Sequence, residues 1–443
     1  MKKTFASGTR RLWRQTLRGA LSQLPQSLRF AMNRRLVRCD FHPDPRLVLK
    51  IAETREELEA CFRLLHDAYV SSGFMLPDPS GLRVTIYHAL PTTTTLCAKF
   101  DGEVVGTVSL IRDGVYGFPM QRVFDLSSVR ARHGRIAEVS ALAVHPKFRN
   151  TGGMILFPLM KFMYGYCTAY CDTRHLVIAV HPTRIEMCES LLFFQRLTEN
   201  PVSSYDFANG APAVGAALDL YEAPKLMHIN YAGTPTHRNL FRYFLDLKLP
   251  NIQLPQRRYH TTNDPVMTAD LLDYFFNQRT QIFKQLGKRQ QALLYTIYNL
   301  PSYRDCLPEI TPSEVQRENL RQTHRYSLLC PATFEVSTGG RSETFDLQVI
   351  EISPNGFQAL SLMPIPLQAW GQVRAQLGPH ESSSVTAMPT RQRISGVVIS
   401  YGFRVEQSDR AWKKFVAAVQ AGETDEDLEH ASRFLADSPA DKR

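Results

Sequence analysis

Acidic side chains are missing from the first 39 residues of this 443-residue chain, and that absence accounts for the whole charge imbalance. The segment carries ten basic residues (Lys2, Lys3, Arg10, Arg11, Arg14, Arg18, Arg29, Arg34, Arg35 and Arg38), and beyond it 42 basic side chains face 42 acidic ones. The net charge of +10 therefore does not describe a basic groove in the folded body. Nucleic acid, whose binding rests on phosphate neutralisation, is excluded as a partner. Paired cysteine spacings are also lacking. The eight cysteines (39, 61, 97, 167, 171, 188, 306 and 330) form no C-x-x-C pair and no disulfide or zinc pattern. Reduced, buried thiols in a cytoplasmic protein are expected, with no metal site. No run of about eighteen apolar residues occurs, which excludes a membrane-spanning helix.

What the leader does contain is a helical pattern. In "RRLWRQTLRGALSQLPQSLRF" the residues Trp13, Leu17, Ala20, Leu21, Leu24 and Leu28 recur at helical spacing, with Arg10, Arg11, Arg14 and Arg18 between them. Pro25 should kink or end that helix. A basic helix with Trp and Leu on one side fits an anionic membrane surface, here the inner face of the inner membrane. A flexible leader and a helix packed on the body remain the alternatives.

From Leu47 the text becomes that of a folded domain. A strand is followed by an acidic-started helix with Leu58, Phe62, Leu65 and Tyr69 on one side. A hairpin covers Thr95–Phe100 and Val104–Ile111 around Asp101-Gly102. The strand "RIAEVSALAV" is apolar on both faces near its end, which predicts a central position. A loop, "HPKFRNTGG", then leads into a long helix, a buried strand and another helix.

The order β-α-β-β-β-loop-α-β-α is that of the Gcn5-related N-acetyltransferase (GNAT) architecture. Arg149-Asn-Thr-Gly152-Gly153-Met154 resembles that superfamily's R/Q-x-x-G-x-G/A loop, in which backbone N–H groups surround the pantetheine arm of an acyl donor. Met154 stands where the pattern has a small residue that lets a pyrophosphate approach, a departure that favours a carrier-protein donor over coenzyme A. The phrases "GFMLPDPSGLRVTIYHALPTTTTLCAKFDGEVVGTVSLIRD", "AEVSALAVHP" and "YDFANGAPAVG" resemble long-chain N-acyl amino acid synthases of the FeeM type, relatives of the acyl-homoserine lactone synthases. The resemblance runs from about Leu47 to Leu220. It implies transfer of a long acyl group from acyl carrier protein to the α-amine of an amino acid, with no permanently bound cofactor.

Such a reaction needs a group to take the proton of the attacking amine and donors to hold an oxyanion. Glu138 is the candidate base, just inside the central strand, and Ser140 follows on the same face. The acyl donor would be held by backbone groups at Leu142 and Val144 and by the loop residues Arg149, Gly152 and Gly153. Arg63 and Arg83 are candidates for the acceptor carboxylate. Some of Phe157, Phe162, Tyr164, Phe193 and Phe194 should line an apolar acyl slot.

Residues 226–310 read as a proline-punctuated, helical connecting region in which Leu271, Leu272, Tyr274, Phe275, Ile282, Phe283 and Leu286 recur near helical spacing. After Pro312 short strands alternate with turns ("FQALSL", "GQVRAQL", "SVTAMP", "RISGVVISYGFRVE") and end in a helix, the pattern of a small β-barrel. "RENLRQTHRYSL" places Arg317, Arg321 and Arg325 four residues apart, and "EISPNGF" follows from Glu351 to Phe357. The R-x-x-x-R and [D/N]-x-S-x-x-G pair resembles the PilZ domain, which binds cyclic di-GMP. That resemblance implies an effector site at Arg317, Arg321, Arg325, Glu351, Ser353 and Gly356, with Glu351 standing in for Asp or Asn. Guanidinium groups fork onto phosphates and stack on guanine.

The fold expected is thus α+β and multidomain: a basic amphipathic leader (1–46), a GNAT-like acyltransferase domain (47–225), the helical connecting region (226–310), a PilZ-like barrel (311–421) and a polar tail (422–443). The function expected is N-acyl amino acid synthesis from an acyl carrier protein donor under cyclic di-GMP control. A coenzyme A-dependent N-acyltransferase acting on another amine, or a non-catalytic signalling module, are the alternatives.

Overall fold

The computed structural model describes residues 24–149, 151–298, 300–310, 325–338, 341–395 and 398–423. An eight-stranded sheet occupies the first half: β1 (Leu47–Ile51), β2 (Thr93–Phe100), β3 (Glu103–Arg112), β4 (Arg135–Val144), β5 (Thr173–Val180), β6 (Gln195–Arg196), β7 (Val202–Tyr205) and β8 (Ala211–Asp219). Its order is β1-β2-β3-β4-β5-β8-β6, with β7 paired to β8, so β4 is central as expected. Asp101 and Gly102 both take positive φ, which gives the β2–β3 hairpin its tight turn.

All neighbours pair antiparallel except β4 and β5, which run parallel and pair only from Arg135/Thr173 to Glu138/Val177, with a register shift between Arg135 and Ile136. Beyond Glu138 the ladder between the two strands stops, although β4 runs on to Val144 and β5 to Val180. In the same place β4 carries a bulge. Ser140 still faces Ser109, but Ala143 faces Thr107, and Ala141 holds a φ of +52°. The extra residue shifts the side-chain phase. Ile136, Ala141 and Ala143 consequently share one core, although two are odd-numbered and one even.

The helices that follow are α1 (Gln26–Leu36), α2 (Arg55–Ser71), α3 (Leu156–Ala169), α4 (Pro182–Leu192), α5 (Ala223–Tyr231) and α6 (Lys288–Ile297). Thr54 caps α2 by accepting from the Glu57 N–H, and Glu56 and Glu57 complement the helix dipole. This gives a GNAT-like acyltransferase fold.

The leader pattern from Trp13 to Leu21 lies outside the described residues. Pro25 stands at the N-cap of helix α1, and the helix it was expected to kink or end lies outside the described residues. Helix α1 is packed on the body. Arg29 pairs with Glu186 at 3.2 Å and Asn33 donates to the Ser190 hydroxyl at 3.1 Å. Leu28, Met32 and Leu36, spaced i, i+4 and i+8, face solvent. No helix among the described residues is long and apolar enough to cross a membrane.

The region 226–310 is not a separate brace, and no packing boundary falls at 225. Leu240, Tyr243, Phe244 and Leu249 share a core with Val37, Cys39 and Leu191. Leu272, Phe275, Phe276, Leu294 and Tyr298 join the core of α2 and β4. Nor is the stretch one continuous helix: Ala269–Asp273 is α-helical, Tyr274–Gln278 widens to a π-turn, and α6 starts only after Gly287.

The C-terminal unit is a closed antiparallel barrel of β9 (Tyr326–Thr338), β10 (Arg341–Ser353), β11 (Gly356–Ser361), β12 (Gly371–Gln376), β13 (Ser382–Ser395) and β14 (Val398–Ser408), in the order β10-β11-β14-β13-β12-β9. The two short pieces read as "SVTAMP" and "RIS" are one strand. Pro389 is tolerated within it because a register shift falls between Pro389 and Arg391. Helix α7 (Arg410–Ala421) closes the barrel core with Trp412, Phe415 and Val419, capped by Asp409, which accepts from the Trp412 N–H at 2.7 Å.

Barrel and sheet are tied by hydrogen bonds through the strap 257–264. His260 and Thr262 donate backbone N–H groups to Leu377 and Ser327, and Leu329 donates to His260. At the strap's other end Asp264 is buried. It accepts from Arg257 at 2.7 Å and from the hydroxyls of Thr94 and Tyr166, and it pairs with Arg112 at 3.4 Å. Burial pushes its carboxyl up, but Arg112 and Arg257 outweigh this and hold it ionised.

Candidate active site

Glu138 is the last residue of β4 to pair with β5, opposite Val177. Its side chain is 2 % exposed and accepts one hydrogen bond, from the Met120 N–H at 3.1 Å. Burial pushes its pKa up to about 8, only partly countered by that bond. A carboxyl so placed takes up a proton readily near neutral pH, the property a general base for an amine needs.

Three tyrosines surround it. Burial raises the hydroxyls of Tyr69, Tyr87 and Tyr205, and the Glu138 carboxyl pushes each the same way. The Tyr205 hydroxyl is buried without a hydrogen-bond partner. Arg83 lies beside them, its guanidinium over the Tyr69 ring at 3.9 Å and donating to the Phe207 carbonyl at 2.7 Å. Burial lowers its pKa, with Tyr69 opposing. A cation that is short of counter-charge in a closed site suits a carboxylate ligand.

Of the residues read from the sequence, Glu138 and Arg83 lie near the same tyrosines, and Ser140 stands two positions along β4, opposite Ser109. Arg63 is not: it sits on the solvent side of α2 in an i,i+4 pair with Glu59 at 2.7 Å. The loop expected to hold the donor follows β4 directly. Leu142 is exposed at the bulge, and the Val144 carbonyl accepts from Arg149 Nε at 2.8 Å. Gly152 and Gly153 have φ of +73° and +86°. A Cβ on Gly153 would stand 2.3 Å from the Phe157 ring, whereas one on Gly152 would meet nothing. Glycine is thus required at 153 twice over, by dihedral and by space.

Tyr69, Tyr87 and Tyr205 were missed. They come from a helix, a turn and a strand 136 positions apart end to end, and the phrase "YDFANG" was the only trace of Tyr205. On the other face of the sheet lies an apolar slot lined by Met160, Met163, Tyr164, Phe194, Met227 and Phe244 among others, with about 40 Å³ of open room. Tyr164 and Phe194 are two of the aromatics expected to line such a slot.

In the barrel, Arg325, Glu351, Ser353 and Gly356 are gathered, while Arg317 and Arg321 lie outside the described residues. Arg325 Nη1 pairs with Glu351 Oε2 at 2.9 Å, and the Ser353 hydroxyl donates to the Gly356 carbonyl at 2.9 Å. Gly356 has a structural reason of its own, since a Cβ there would stand 2.4 Å from the Phe403 carbonyl oxygen.

Residues 60–219 match the family model of the N-acyl amino acid synthase FeeM. The solved structure of FeeM from uncultured soil microbes is 24% identical, the match covering 41% of this chain and 95% of that one with a TM-score of 0.35. A CoA-dependent acyl-homoserine lactone synthase, BjaI, solved with SAM and isopentyl-CoA, is 21% identical over 43% of this chain and 92% of its own, with a TM-score of 0.33. The acyl-homoserine lactone synthase LasI is 16% identical over 39% and 90%, with a TM-score of 0.31. No curated protein matches the chain significantly. The segment 60–219, which carries Glu138, Arg83 and the donor loop, matches the N-acyl amino acid synthase FeeM family, and this part of the chain is an N-acyltransferase domain.

Proposed function

We propose that the chain joins a long-chain acyl group, delivered on acyl carrier protein, to the α-amine of an amino acid, and that its barrel binds cyclic di-GMP. The observation that carries the first part is the buried Glu138, its pKa pushed up to about 8, at the residue where the β4–β5 pairing ends, inside the family-matching segment.

The donor's pantetheine arm enters between β4 and β5 beyond Glu138, where their pairing stops, against the 145–153 loop. Arg83 binds the acceptor carboxylate and Ser140 helps to orient the amine. Glu138 accepts the ammonium proton as nitrogen attacks the thioester carbonyl. Backbone N–H groups at the bulge, where β4 has no β5 partner, hold the oxyanion. With the C–N bond made, the C–S bond breaks as the second nitrogen proton passes to the sulfur, and the thiol leaves with the carrier. The slot beneath α3 takes the acyl chain. Its room of about 40 Å³ is too small for a long chain, so its three methionines, which repack easily, must swing aside. Exposed Leu28, Met32 and Leu36, with the basic leader, support a location at an anionic membrane surface, where such a product partitions.

Turnover of one amino acid with acyl carrier protein and with coenzyme A thioesters of equal chain length tests the reading. A preference for the carrier supports it, and a preference for coenzyme A replaces the donor. No acyl amino acid from either donor overturns the activity.

A further inference from the structure

Between sheet and barrel lies a polar cavity of about 310 Å³. Its walls come from both units. Arg112, Arg130 and Arg135 belong to the acyltransferase side, and Ser327 and Glu351 to the barrel. Arg325, paired to Glu351, stands at its edge. The two cavity arginines nearest the barrel are held differently. Arg130 pairs only with Asp113 and rests over the Phe118 ring at 5.5 Å. Arg135 crosses the interface, donating to the Thr262 hydroxyl at 2.5 Å and the Leu328 carbonyl at 3.1 Å, with Asp172 a distant 3.7 Å from its Nε.

The chemistry of this cavity is specific. Three guanidinium groups line the acyltransferase wall with Asp113 beside them, and Arg325 adds a fourth through its pair with Glu351 on the barrel side, a set that suits a phosphate-bearing anion. Glu351 offers acceptor oxygens and suits a ring edge with two adjacent donors, as N1–H and the N2 amino group of guanine are, whereas adenine offers only its N6 amino group. Resting on the reading of the barrel as a cyclic di-GMP domain, we propose that the effector site is shared between domains: Arg130 and Arg135 of the acyltransferase domain grip the guanylate's phosphate while Arg325 and Glu351 of the barrel hold the rest. The consequence is mechanical. Arg135 begins β4, and Glu138 is three residues further along the same strand. A ligand that draws Arg135 towards the barrel bears directly on the strand that carries the base.

The test is calorimetry on the full chain with cyclic di-GMP, cyclic di-AMP and inorganic pyrophosphate. Arg130→Ala, Arg135→Gln and Arg325→Ala should each weaken cyclic di-GMP binding about tenfold or more, the scale of one charge-assisted contact. Cyclic di-AMP should bind at least about tenfold more weakly than cyclic di-GMP, and Glu351→Gln should shrink that gap. Among the described residues Arg130 makes no hydrogen bond or ion pair with the barrel, so its variant separates ligand binding from damage to the interface. If Arg325→Ala abolishes binding while Arg130→Ala and Arg135→Gln bind within twofold of the parent, the site is the barrel's alone and the shared site is overturned. If the full chain binds no cyclic di-GMP, the barrel reading falls and the inference with it. Equal binding of pyrophosphate would remove Glu351 from recognition and overturn the guanylate assignment.

Discussion

Arg135 and Glu138 lie three residues apart on β4, yet one lines the interdomain cavity and bonds to the barrel while the other is sealed in the acyltransferase core. One strand thus touches both the candidate effector site and the candidate base.

Turnover should follow the titration of Glu138. Its pKa of about 8 means the basic form is scarce at pH 6 and dominant above pH 8. The rate should rise through that range and level off. Glu138→Gln should lose roughly a hundredfold in kcat, together with the inflection. A variant within a few-fold of the parent would make Glu138 structural.

Stability should carry the opposite slope. The folded state keeps the Glu138 proton up to about pH 8, whereas the unfolded chain releases it near the ordinary value of 4.5. The native state therefore holds the extra proton between those limits, and its stability falls as pH rises by up to about 1.4 kcal/mol per unit. Urea melts at pH 6 and pH 8 should show Glu138→Gln gaining on the parent at the higher pH. A constant difference would refute the shift.

The donor loop permits a paired comparison. Gly152→Ala meets only a backbone penalty of about 1–2 kcal/mol, because nothing lies near its Cβ. Gly153→Ala adds a collision with Phe157 and should disturb the loop that holds pantetheine. Its KM for the acyl donor should rise well above that of Gly152→Ala, and equal values would show that the loop adapts.

Asp264 fastens the strap to the sheet. Asp264→Ala leaves the Arg112 and Arg257 guanidinium groups without their shared carboxylate and should cost about 3–5 kcal/mol. Chemical denaturation measures this directly. A loss below about 1 kcal/mol would mean that water or another acceptor replaces it.

Membrane contact is testable without disturbing α1's packing. Changing Leu28, Met32 and Leu36 together to Ser leaves the Arg29–Glu186 pair in place and should weaken binding to anionic vesicles severalfold. Deleting residues 1–38 should abolish it. Unchanged sedimentation with vesicles in both cases would refute the membrane reading.

Local chemistry fixed a good part of this protein in the sequence alone. Alternation and the Asp101-Gly102 turn specified the β2–β3 hairpin, and the acidic first turn specified α2. The two-faced apolar run placed β4 at the centre, and Glu138 and the glycine loop were recognisable from their place on it. The tertiary structure decided what sequence spacing does not encode. Whether Arg83 or Arg63 reaches the site depends on which side of a turn or helix is buried, so one lies against Tyr69 and the other faces solvent. The bulge at Ala141 resets the phase of β4, which a period-two reading cannot detect. The fusion of residues 226–310 into the acyltransferase core follows from long-range burial, since Phe275 meets Phe62 across more than two hundred residues. The interdomain cavity exists only because the strap 257–264 bonds to both units and brings Glu351 opposite Arg135.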